Sequence, residues 1–179
     1  MPKKQFLSWL AGLIDGDGSI FIGVRKQGPN KPYIGLTPSV TVTQRGDYKW
    51  VCEYIQKELG FGKVYISNRN NAQSKATYQT TAMHDTLKLL KLLKPYLYVK
   101  KEHAVKVIPV LELWIKDAST IHQRGDLRVK GITVRKQKTV LKIVEVATGL
   151  NAKMRNSTRY KGYKDFKYWK PLIKKWYPR

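Results

Sequence analysis

Residues 6 to 18 constrain this chain more than any other stretch: Phe6-Leu7-Ser8-Trp9-Leu10-Ala11-Gly12-Leu13-Ile14-Asp15-Gly16-Asp17-Gly18. Phe6, Leu7, Trp9, Leu10, Leu13 and Ile14 recur at the spacing of one helical face, which predicts an amphipathic helix. Ser8, Gly12 and Gly16 stand four apart beside Ala11 and make a second stripe without side-chain bulk, on which another helix could pack closely. The helix ends in Asp15-Gly16-Asp17-Gly18, where glycine permits tight backbone turns and two carboxylates stand two residues apart. Only 12 acidic residues face 35 basic ones, so these acids are not there for solubility. A divalent metal held close to phosphate oxygens is the natural reason to keep such a pair. A capped core helix with incidental acids is the plainer alternative.

The formal charge of +23 calls for a polyanionic partner, nucleic acid ahead of membrane or acidic protein. The single cysteine, Cys52, excludes an internal disulfide and a multi-cysteine zinc site, and is expected as a buried small hydrophobe on a helix. No apolar run approaches the ~20 residues of a membrane span and the start does not read as a signal peptide. A soluble, intracellular protein with no membrane partner is expected, in a prokaryotic or archaeal cytoplasm or an organelle.

After the helix the period changes to alternation. From Ser19 to Gln27, Ile20, Ile22 and Val24 point one way, and Phe21, Gly23, Arg25 and Gln27 the other. Residues 28–32 are turn chemistry. A second strand from Tyr33 to Thr43 sets Leu36, Val40 and Val42 against Thr37, Ser39, Thr41 and Thr43, with Pro38 arguing for an edge position or a bulge. Asp47 is the expected N-cap of a helix carrying Trp50, Val51, Tyr54, Ile55 and Leu59 inward, stopped by Gly60. A third strand, Lys63 to Arg69, places Val64 and Ile66 inward and Tyr65, Ser67 and Arg69 outward. A fourth, Ala76 to Met83, shows Thr77, Gln79 and Thr81 outside. Helix–strand–strand thus occurs twice, with the acidic signature only in the first copy.

Helices follow at Asp85 to Leu93, with Leu87, Leu90 and Leu93 inward, and at Glu102 to Lys116; Pro95 closes the first of these. Asp117 to Lys130 reads as a loop and Thr133 to Thr148 as a further helix. Residues 1–150 are expected as one domain. Asn151 to Arg179 is a basic, aromatic extension, too aromatic for a disordered tail, which should dock on that domain and enlarge its basic surface.

Leu10 to Gly18 resembles the signature of the LAGLIDADG homing endonucleases, departing from it only at Gly16, where the name has alanine. The resemblance implies an α+β fold of order αββαββα, with a saddle-shaped antiparallel sheet lying on DNA, and site-specific double-strand cleavage. It implies that Asp17 is the metal ligand, assisted by the backbone carbonyl of Gly16, with Mg2+ as the ion and Mn2+ or Ca2+ able to take the same sites. Asp15 then has a structural role at the paired helix. Gln44, at the end of the second strand, and Lys100, at the entry to the helix after the second repeat, match the family's water-ordering and phosphate-facing residues. Tyr48 stands where an arginine often does, with Arg45 or Lys49 as substitutes. One acid per chain is too few for two metals. A homodimer packed through Ser8, Ala11, Gly12 and Asp15 is therefore expected, on a pseudo-palindromic duplex target.

In that arrangement the sheet reads bases through Arg25, Gln27, Thr37, Ser39, Thr41, Tyr65, Ser67, Arg69, Thr77 and Gln79. The many lysines serve phosphates. The leading expectation is a magnesium-dependent homodimeric DNA endonuclease encoded within a mobile intron. Alternatives are an RNA-binding intron-splicing maturase, to which the basic-aromatic extension is suited, and a non-catalytic DNA-binding regulator.

Overall fold

A computed structural model describes residues 1–26, 34–68, 74–121, 131–134, 136–150 and 164–177; the side chains of 118–121 and 131–134 are not described. Gln27, Arg69, the turn at 28–32 and residues 151–163 lie outside that set. The elements are α1 (Lys3–Asp17), β1 (Gly18–Lys26), β2 (Ile34–Arg45), α2 (Lys49–Leu59), β3 (Lys63–Ser67), β4 (Lys75–Thr80), α3 (Met83–Leu93), α4 (Lys101–Asp117), β5 (Ala118–Ile121), β6 (Gly131–Val134), α5 (Gln137–Leu150) and α6 (Phe166–Trp176). The first seven elements follow the expected αββαββα order. No described helix is long and apolar enough to cross a membrane.

The chain divides into two compact units, residues 1–23 with 37–108, and 24–36 with 109–179. The four-stranded sheet has the order β1-β2-β4-β3, with β2–β4 and β3–β4 antiparallel. Direct pairing puts Val42 opposite Tyr78 and Gln44 opposite Ala76 on one face, and Thr41 opposite Gln79 and Thr43 opposite Thr77 on the other. Val40, Val42, Ala76 and Tyr78 are fully buried. The first face is therefore the core side. The Cys52 thiol, wholly buried on α2, points at the carbonyls of Val42 and Ala76, as a small hydrophobe seated over β2 and β4. Burial also pushes its pKa up. α2 ends at Gly60 with φ +73°, a left-handed cap that glycine adopts without steric cost.

Several sequence expectations are corrected. β2 is an interior strand, not an edge. Val40 N–H points toward β4 and meets the Thr80 hydroxyl at 3.1 Å, so the nitrogen of Pro38, two residues earlier, falls beyond the last β4 residue. The missing donor costs no ladder bond with β4. Asp47 does not cap α2: it sits in a short 3-10 turn and forms a two-pronged pair with Arg45 at 2.6 and 3.1 Å. Trp50 is 58% exposed and Ile66, on edge strand β3, is 55% exposed, so neither belongs to the core. Leu89, absent from the expected apolar stripe of α3, is wholly buried. Part of the expected loop after Asp117 is the β5–β6 pair, which takes Thr133 into a strand.

In the second unit α5 buries Val140, Ile143, Val144 and Ala147, and α6 packs against it with Trp169 and Ile173. Gln137 donates to the Tyr177 carbonyl at 2.8 Å, and the Tyr177 hydroxyl receives Ile34 N–H at 3.0 Å. Asp165 caps α6 by accepting Tyr168 N–H. The end of the basic-aromatic extension is thus a helix packed on α5, with Trp169 and Ile173 buried and its lysines exposed.

Candidate active site at the foot of the first helix

α1 buries Phe6, Leu7, Leu10, Ala11 and Ile14 and packs against α3, while the rings of Phe6 and Trp9 meet Tyr54 of α2. Those contacts fix the helix axis and leave the other side, Ser8, Gly12 and Gly16, exposed. Ala11 is corrected here: it is wholly buried in its own chain and does not lie on the open stripe. A Cβ at Gly12 or Gly16 would meet nothing within 4 Å, so the fold of a single chain gives no reason for glycine at either position. Gly18 is different. A Cβ there would stand 2.7 Å from both Ile14 Cα and the Thr41 carbonyl oxygen, so only glycine lets β1 leave the helix across β2.

The two carboxylates of the motif have separate fates. Asp15, half-buried, accepts three backbone N–H groups of its own chain: Tyr98 at 2.7 Å, Val99 at 3.2 Å and Lys100 at 2.8 Å. These groups immediately precede α4, where an anion is stabilised by the helix dipole. In return Lys100 Nζ donates to the Asp15 main-chain carbonyl at 2.5 Å, placing a cation at the C-terminal, electronegative end of α1. Asp17, at the last residue of α1, is exposed. Its one neighbour among the described hydrogen bonds is Gln44 Nε2 at 3.4 Å, longer than an ordinary N–H···O bond, so the carboxylate stays open.

Gln44 therefore meets Asp17, although it springs from the core side of β2 and reaches the helix end from there, while Lys100 meets the main chain of Asp15, two residues before Asp17. The substitutes for a basic residue at Tyr48 are committed elsewhere. Arg45 pairs with Asp47 and lies over the Tyr48 ring at 5.7 Å, and Lys49 pairs with Glu53 at 3.5 Å. The bond to Arg45 holds the Asp47 carboxyl below its usual pKa. Sequence reading overlooked Tyr98 and Val99, which are 90% and 69% exposed because their N–H groups turn inward to Asp15. The run Tyr96-Leu97-Tyr98-Val99 between Pro95 and the lysines at the start of α4 was the available signal.

Among the described residues no three His, Cys, Asp or Glu side chains gather. The donors that could hold a cation at the foot of α1 are the Asp17 carboxylate, the Gly16 carbonyl and the Gln44 amide oxygen. All are hard oxygens, which fit Mg2+ or Ca2+, but a single carboxylate is half of what a two-cation site needs.

The candidate base-reading face is partly self-satisfied. Thr41 shares a hydrogen bond with Ser19 at 2.7 Å and Thr43 with Thr77 at 3.0 Å. Ser39 is corrected: it is wholly buried, its hydroxyl receiving the Gln79 amide at 3.0 Å. Arg25, Tyr65 and Ser67 are exposed, and Thr37, Thr41, Thr77 and Gln79 half-buried.

Fold and motif define a LAGLIDADG protein, and the model of the LAGLIDADG endonuclease family matches residues 10–108; the chain belongs to that family. Among curated proteins it is similar to DNA endonuclease I-CreI of Chlamydomonas reinhardtii, at 30% identity over 113 residues, which span 62% of this chain and 64% of that protein. Among solved structures, homing endonuclease I-CvuI, in complex with the I-CreI target in the presence of Mg, superposes with a TM-score of 0.72 at 20% identity, covering 97% of this chain and 95% of the other. The archaeal intron-encoded homing endonuclease I-Vdi141I, complexed with DNA, superposes with a TM-score of 0.69 at 18% identity, covering 97% and 98%. At these identities the two structures speak for the fold.

Proposed function

We propose that this protein is a site-specific, divalent-metal-dependent DNA endonuclease that acts as a homodimer on a pseudo-palindromic target and is encoded within a mobile intron. The observation that carries the reading is an exposed Asp17 at the foot of a helix whose exposed glycines have no use inside the chain. Gly in a helix interior costs about 1 kcal/mol relative to Ala, so Gly12, in the middle of α1, serves something outside the monomer, and Gly16 continues the same open stripe at the helix end. A second copy of α1 laid along Ser8, Gly12 and Gly16 brings a second Asp17 to the same gap. The exposed Tyr98 and Val99, tied to α1 through Asp15, widen the surface that the second copy covers.

Asp17 and the Gly16 carbonyl would hold Mg2+, with Mn2+ or Ca2+ as replacements. The ion, when bound, activates water and neutralises charge at the phosphate. The chain's own residues orient and bind. Gln44 orders water beside Asp17. Lys100, whose ammonium carries three donors and spends one on Asp15, offers the others to a phosphate oxygen. Arg25, Thr37, Thr41, Tyr65, Ser67, Thr77 and Gln79 supply the base-reading face. The test is Asp17→Asn: it should bind target DNA while magnesium-dependent cutting disappears. Cutting at the unaltered rate removes Asp17 from the chemistry.

A further inference from the structure

The second unit contains a cleft of about 640 Å³ at the junction of α4, α5 and α6 that shares no residue with the site at the foot of α1. This lies in the range of about 300–1,000 Å³ typical of small-ligand sites. Its floor is apolar, built from half-buried Leu113, Leu141 and Phe166. Its rim carries exposed Lys116, Lys136, Lys138 and Lys142. The two rim acids are already answered. Asp117 accepts from the Thr139 hydroxyl and, at 3.0 Å, from Lys136, and Glu145 accepts from Lys142 at 3.2 Å. Lys116 and Lys138 bond to no acid among the described residues, so the rim's surplus charge rests with them.

A floor of flat and branched apolar groups under a cationic rim suits a ligand with an apolar ring and an anionic arm. Among the rings of α6 and its flanks, Trp169 and Tyr177 are buried, and the Tyr168 ring is flanked by Lys26 at 5.4 Å and Lys164 at 5.1 Å. Phe166 is the ring that opens into the cleft. From the next residue, exposed Lys167, Lys170 and Lys174 follow along one face of α6 over about 10 Å, with no acid in the helix to offset them. Charge beyond the cleft favours a strand over a free nucleotide, because a row of cations needs a row of phosphates.

We propose that this cleft receives an unpaired nucleotide of a single-stranded nucleic acid, its base against Phe166 and Leu141, a flanking phosphate on Lys116 and Lys138, and its neighbours along the lysine face of α6. The inference uses neither Asp17 nor metal, so its failure leaves the nuclease reading intact, and the reverse also holds.

The experiment is fluorescence anisotropy of the full chain with a labelled 12-nucleotide single strand, RNA and DNA in separate arms. Phe166→Leu, which keeps apolar volume and removes the ring, and Lys116→Ala/Lys138→Ala should each weaken binding about tenfold. Lys57→Ala/Lys94→Ala removes the same charge from other exposed positions and should change binding by no more than about twofold. An equal loss in that control, or displacement of the strand by poly-glutamate at matched charge, overturns the proposal in favour of a general polyanion surface. Adenosine monophosphate that binds as tightly as the 12-mer, and loses affinity in the same variants, replaces the strand with a free nucleotide. Photocrosslinking of a bromouridine strand to the unsubstituted protein covers any folding defect in the variants. Adducts should map to the peptide containing Phe166, and adducts confined to strand peptides refute the site.

Discussion

Asp15 and Lys100 are bound to each other twice: the Asp15 carboxylate accepts Lys100 N–H at 2.8 Å, and Lys100 Nζ donates to the Asp15 carbonyl at 2.5 Å. The clasp joins the end of α1 to the start of α4 across 85 residues of sequence. It neutralises an electropositive helix start with an anion and an electronegative helix end with a cation. It also holds Lys100 at the foot of α1, where Asp17 lies.

Loss of the Asp15 carboxylate leaves three backbone donors before α4 without their acceptor. Asp15→Ala should lower the free energy of unfolding by about 2 kcal/mol, the upper range for a helix cap. Asp15→Asn, which keeps one acceptor oxygen, should lose less. Urea titration reads both; midpoints equal to that of the unsubstituted protein would show that the three bonds carry no stability.

Lys100→Met keeps the length of the side chain and removes its charge. A cation at a helix end contributes typically 0.3–1 kcal/mol, so the fold should lose no more than about 1 kcal/mol. If Lys100 faces phosphate, the cutting rate under saturating DNA should fall about a hundredfold or more. A large loss of stability with normal cutting would make Lys100 a structural residue only.

Gly18 and Gly12 should respond in opposite ways to added bulk. Gly18→Ala drives a methyl into backbone on two sides and should cost more than about 3 kcal/mol or yield no folded protein. Gly12→Val meets open space within the chain, so circular dichroism should show a folded protein while sedimentation velocity shows a monomer. A dimer that persists in Gly12→Val would falsify the helix-pairing surface.

The Asp117 carboxyl lies below its ordinary pKa, first because the Thr139 hydroxyl bonds to it and then because of Lys136. A depressed carboxyl contributes stability above its unfolded pKa of about 3.9, and that contribution is lost as pH falls through the folded value. Acid titration followed by circular dichroism should show the junction of α4 and α5 weakening below about pH 4. Asp117→Asn should flatten that part of the curve, and an unchanged curve would assign the acid sensitivity to other groups.

Local pattern was enough to read much of this protein. The helical spacing from Phe6 to Ile14, the alternation in β1 and β2, the stop at Gly60 and the repeated αββ order depend on neighbours in sequence, whereas the assignment of Asp17 over Asp15 came from the family resemblance. Tertiary contacts decided the rest. Ala11 sits beside the small stripe in sequence, but a few tens of degrees around α1 separate open surface from packed core. Pro38 is tolerated inside a sheet because β4 ends where its missing donor would point, and that is a matter of register. Asp47 turned to Arg45 and left the cap, and Ser39 received Gln79 across the strands. Asp15 found its donors in a segment more than eighty residues away. Except for the Asp47–Arg45 pair, which is local, these outcomes are competitions between partners distant along the chain, settled by where folding brings them rather than by what lies next to them.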